Sequence, residues 1–229
     1  MRRVVLGWLA SPVLLALPGL PSWATESTEA LAEPAILSPA DLPATVPAIW
    51  VEEQVEFTYV GRTSYYSCDG IRQKVRYVLE QLGAMPGYSV VIGACYQPTG
   101  PVELPRVRIK AALPREATPQ LVEQLQKDAA RRELVAKVRG ERSVINDPAA
   151  QFPAVSRQVR FESSRLARIQ DGDCELMEQL VRHVFEPFGV RVVEGSRMDC
   201  LPGQLTLNSV QLTLEVLAPA SVVADGEGS

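Results

Sequence analysis

The chain has one histidine and four cysteines in 229 residues, and both scarcities exclude chemistry. As a general base the lone His183 would need a nucleophile and an orienting partner, and no Gly-x-Ser-x-Gly elbow is present. There is no Cys-x-x-Cys, so neither a redox dithiol nor a zinc ligand set is written in local spacing. Gly-x-Gly-x-x-Gly and the phosphate-binding loop are absent as well. No residue is therefore assigned to catalysis, to a metal or to a cofactor.

An excess of one charge is missing too. Of 27 acidic residues, Glu26, Glu29, Glu33, Asp41, Asp225 and Glu227 lie outside the stretch from Trp50 to Leu217, as do Arg2 and Arg3 among 23 basic ones. That leaves 21 of each sign between Trp50 and Leu217, and a neutral body lacks the electrostatic footprint of a nucleic-acid or anionic-membrane binder.

The one long apolar run is at the N-terminus. Arg2 and Arg3 precede an apolar segment, Val4 to Leu20, and Ser22-Trp23-Ala24 is a small-x-small cleavage site. Pro12, Pro18 and Pro21 and the shortness of the run argue against a spanning helix. Residues 1–24 read as a signal peptide, so the expected location is periplasmic or secreted, with no integral membrane segment after cleavage. Residues 25–49, rich in Pro, Ala and Glu, read as a disordered linker, and 218–229 as a disordered tail.

Between these ends the chain states one pattern twice. Cys68 opens a helical periodicity that Gly83 closes, and Cys174 and Gly189 do the same. Ile71, Val75, Val78, Leu79 and Leu82 stand where the second run has Met177, Val181, Val184, Phe185 and Phe188. Upstream, Val55-Glu56-Phe57 matches Val159-Arg160-Phe161. The division expected is a βαββ repeat over 50–116, a linking helix and loop over 117–153, and a second βαββ repeat over 154–217.

All four cysteines lie in the repeats, and an exported chain with an even count reads as a disulfide framework. In a strand–helix–strand crossover the start of the helix lies beside the end of the following strand. Cys68 and Cys174 begin helices, whereas Cys95 and Cys200 end those strands, so the pairs expected are Cys68–Cys95 and Cys174–Cys200.

The strands expected are 50–60, 88–95, 107–113, 154–163, 190–194 and 207–217. The run 88–95, apolar on both sides, reads as central in the sheet. Thr118 and Pro119 open the linking helix, whose stripe is Leu121, Val122, Leu125, Leu134 and Val138. The fold class expected is α+β: a two-layer sandwich with a mostly antiparallel six-stranded sheet and helices on one face. Its first six elements follow the ferredoxin-like order. The two halves can share one sheet or form two.

All six tyrosines belong to the first repeat, and the loop 61–67 carries Tyr65 and Tyr66, which could stack on a ligand or anchor a partner, or else pack over the bridge. In the equivalent region of the second repeat, Asp171, Asp173 and Glu175 suit N-capping better than Ca²⁺, because the EF-hand order is lacking. The reading is an exported, non-enzymatic binding or interaction module of the bacterial envelope, its partner a protein or small ligand and not a nucleic acid. The alternatives are a small periplasmic enzyme with a site assembled from loops, and a structural envelope subunit. The exported protein should begin at Thr25; intact-mass measurement checks this, and a membrane-retained product still carrying Met1 would contradict it.

Overall fold

The computed structural model describes residues 44–95, 100–101, 104–139, 150–164, 166–204 and 208–221. The leader, its cleavage site and the tail from 222 onward lie outside the described residues, as does the linker up to residue 43.

Among the described residues seven strands form one sheet. β1 (Val46–Thr58), β2 (Ser89–Gly93), β3 (Arg106–Glu116), β4 (Gln151–Glu162), β5 (Arg191–Val192), β6 (Arg197–Asp199) and β7 (Ser209–Pro219) are ordered β2-β3-β1-β4-β7-β5, with β6 also on β7. Every strand pair among the described residues is antiparallel. Three helices complete the α+β fold: α1 (Cys68–Gln81), α2 (Pro119–Arg139) and α3 (Cys174–Leu180). The halves therefore share one sheet, and β1-α1-β2-β3-α2-β4 with the order β2-β3-β1-β4 is the ferredoxin-like arrangement.

The two βαββ runs take the same pairings. Phe57 and Val55 lie opposite Val107 and Ile109, while Phe161 and Val159 lie opposite Leu212 and Leu214. All eight side chains join one core, with Ile71, Val75, Val78 and Leu79 of α1 and Leu176, Met177 and Leu180 of α3. Both helices end alike. Gly83 and Gly189 take positive φ, +79° and +73°. In each case the next amide reaches back to close the last turn, Ala84 N to Leu79 O and Val190 N to Phe185 O.

Four expectations change. β1 begins at Val46 and not at Trp50, and Ala48 and Ile49, assigned to the linker, are fully buried. Pro47 hid the alternation, but it sits opposite Pro153 and its carbonyl accepts from Ala117 N, so no ladder amide is required of it. β2 is an edge strand, last in the order and paired only with β3 among the described residues, and Val91 stays exposed while Val90 and Ile92 are buried; a short apolar run does not reveal which side is covered. β6 was too short and too charged to read. After Leu180, α3 continues as a π-helical turn, Val181–Phe185, which widens the ladder ahead of Pro187, a residue with no amide hydrogen for it.

α2 packs only in part along its apolar stripe. Leu121, Val122 and Leu125 meet Ile49 and Val51 in a separate small cluster, whereas Val138 is exposed. No helix among the described residues is long and apolar enough to cross a membrane.

Both disulfides join the cysteines named from the crossover geometry, Cys68 to Cys95 and Cys174 to Cys200, across sequence separations of 27 and 26. Loops of that size should each contribute about 3–4 kcal/mol. Removing one bridge by a Cys→Ala pair should lower the melting temperature by roughly 10 °C. Scanning calorimetry of Cys174→Ala/Cys200→Ala checks this.

Candidate functional site

The loop that carries Tyr66 and the acidic turn before α3, read from the sequence as a helix cap, meet. Tyr66 precedes α1, and its hydroxyl donates to Asp173 Oδ1 at 2.5 Å and to Gly172 O at 3.1 Å. Asp173 is 3 % exposed, so its carboxylate must be fully bonded to be tolerated. Its Oδ2 accepts from Lys74 Nζ at 2.7 Å and from Gln170 N at 2.7 Å. The carboxylate thus caps the 3-10 turn ahead of α3 by reaching back to Gln170 N, makes no cap bond to α3 itself, and also ties that turn to Tyr66 and Lys74 of the other half. Lys74 additionally donates to Arg168 O.

Glu175, one helical step away and also buried, holds the tyrosine loop from below. Its Oε2 accepts from Arg62 N at 2.8 Å and Thr63 N at 3.0 Å, and its Oε1 from Thr63 Oγ1 at 3.1 Å. Gln179 brackets Val60, accepting from its amide at 3.1 Å and donating to its carbonyl at 2.9 Å. Thr63 Oγ1 accepts from Gly203 N at 2.8 Å, so the turn after Cys200 joins the same assembly.

The loop is folded around a buried ring. Tyr59 packs edge-on against Tyr66 with centroids 5.4 Å apart, and its hydroxyl donates to Ser64 O at 2.9 Å. A Cβ on Gly61 would fall 2.2 Å from Ser64 O, so the turn closes only with glycine there. Burial, then the charges of Glu175 and Asp173, push the Tyr59 phenol far above its ordinary range. Burial, then the Asp173 charge and hydrogen bond, do the same to Tyr66 more strongly.

Tyr65 and Tyr66 therefore part company. Tyr66 is built into the junction, whereas Tyr65 is 64 % exposed on the loop that Glu175 holds. Val60 and Leu201 are exposed on the chain segments tied to that loop. His183 is elsewhere: its ring stacks on Phe57 at 5.9 Å, as Tyr77, its counterpart in α1, meets Phe161 at 6.2 Å. No cluster of three or more metal-ligating side chains occurs among the described residues. Sequence reasoning missed Lys74, Gln179 and Thr63; none stands out locally, because each acts on a partner far away in the chain.

No family model, curated protein or solved structure matches this chain.

Tyr66→Phe removes a hydrogen bond to a buried carboxylate and should cost about 1.5–3 kcal/mol. It should also change the alkaline limb. Below pH 10, the ordinary phenol pKa, folded and unfolded chains both hold the proton and the contribution is complete. Above it the unfolded chain ionises first, the folded state binds more protons, and stability falls as pH rises. Denaturant midpoints from pH 8 to 11 should fall more steeply for the wild type than for Tyr66→Phe.

Proposed function

We propose that the chain is an exported binding module of the bacterial envelope, and that it recognises its partner through the loop end that carries Tyr65. The observation that supports this is the contrast within one loop. Its backbone is fixed from below by Glu175, Gln179 and the packed Tyr59 and Tyr66, yet the large amphipathic ring of Tyr65 is left in solvent. An aromatic on a pre-ordered loop offers contact area with little further loss of conformational freedom, which favours recognition. Val60 and Leu201 extend the apolar contact. Export is supported by the signal-like leader and by two disulfides, which persist in oxidising compartments.

Tyr65→Ala should abolish capture of the partner that the wild-type protein retrieves from a periplasmic extract. It should leave the melting temperature within about 1–2 °C, as expected of an exposed position. Tyr66→Ala should instead lower the melting temperature by several degrees. Undiminished capture by Tyr65→Ala would place recognition elsewhere on the molecule.

A further inference from the structure

The two margins of the sheet are built differently. On the β7 side the margin is broken into β5, two residues, and β6, three residues. Between them the chain turns at Gly195, and the Ser196 hydroxyl donates to Val193 O at 2.7 Å and accepts from Thr213 N at 3.0 Å. Arg191, Arg197 and Asp199 place charges along it. Shortness, interruption and charge are the usual means of blocking edge-to-edge pairing.

β2, which holds the matching place in the first half, has none of these. Ser89-Val90-Val91-Ile92-Gly93 is unbroken and carries no charge and no proline. Val90 and Ile92 are buried, while Val91 is 51 % exposed. Among the described residues no strand pairs its outer side. The Cys68–Cys95 bridge anchors the chain just beyond its end, so the edge is presented ready-formed.

We propose that β2 pairs antiparallel with β2 of a second copy of this chain, which joins two seven-stranded sheets into one across a two-fold axis at Val91. A two-fold contact requires a segment complementary to its own reverse. Here Val91 faces Val91, Val90 faces Ile92 and Ser89 faces Gly93, so apolar residues meet apolar ones and small residues meet small ones. Charge argues for the same occupant. The basic row next to this edge, Arg106, Arg108 and Lys110 of β3, is already answered by Glu56 and Glu52 of β1. That pairing lowers the repulsion between two copies, and an uncharged, self-complementary edge suits a second copy of itself. Five residues make a small contact, so the dimer forms in a concentration-dependent way.

Sedimentation equilibrium of the exported protein, from micromolar to several hundred micromolar, should show monomer and dimer in exchange. Val91→Lys sets two ammonium groups face to face at the axis and should raise the dissociation constant roughly tenfold or more, with the melting temperature unchanged. Val91→Cys should cross-link to itself under mild oxidation, because residues directly opposite in an antiparallel pair have Cα atoms about 4.5–5.5 Å apart, within disulfide range. Val192→Cys on the opposite margin should not. Tyr65→Ala should dimerise like the wild type, which separates this contact from the recognition loop. A protein monomeric throughout the range overturns the proposal, as does a dimer that survives Val91→Lys without Val91→Cys cross-linking. If Val91→Lys fails to fold, the cross-linking result decides alone.

Discussion

Burying a carboxylate is unfavourable unless every lone pair that needs a partner finds one, and Asp173 finds its partners on both sides of the junction between the two halves. Tyr66 and Lys74 come from the first half; Gln170 N comes from the turn before α3. Were the halves to separate, the bond to Tyr66 and the ion pair to Lys74 would be lost together. Removing either partner alone leaves a buried charge underpaired, the costly arrangement. The same logic holds for Glu175, whose three donors all lie in the opposite loop. The relative placement of α1 and α3, and with it the shape of the tyrosine loop, depends on two acidic side chains being satisfied.

The backbone seam beneath is slight by comparison. β1 and β4 pair only over Val46 to Ile49 with Gln151 to Ala154, and Pro47 opposite Pro153 removes two amides from it. Side chains that cross the seam make up the difference. Tyr77 of α1 meets Phe161 of β4, and His183 after α3 meets Phe57 of β1. Arg157 of β4 donates to Gln81 O at the end of α1 at 2.7 Å, where a cation is favoured by the unpaired carbonyls. Arg115 of β3 lies so close to Gly189, past the end of α3, that a Cβ there would come within 3.0 Å of its Nε. Each helix is thus completed in part by the other half.

What could be read from the sequence was what depends on short-range periodicity. The stripe Ile71, Val75, Val78 and Leu79, the glycine stops and the pairing of Cys68 with Cys95 follow from local helix and crossover geometry, and the structure has them. The margins of the sheet were harder, because Val90-Val91-Ile92 looks alike in a central and an edge strand, and because Pro47 masks a strand that its neighbours Ala48 and Ile49 complete. The site was half legible. Tyr66 and Asp173 each stand out in the sequence, one as a contact residue and the other as a helix cap; no local pattern says that a phenol and a carboxylate so far apart in the chain are hydrogen-bonded to each other. The distinction between Tyr65 and Tyr66, adjacent residues of one type, arises only when the loop turns one ring inward.

Tyr66 and Ser67 stand before Cys68 as Gly172 and Asp173 stand before Cys174, so the Tyr66 hydroxyl reaches its own counterpart, Gly172, and the counterpart of Ser67, Asp173. Two copies of the first half would set this tyrosine against a serine, and two copies of the second would leave the aspartate facing a glycine. The contact therefore needs one of each half, and neither half of this molecule can be replaced by a second copy of the other.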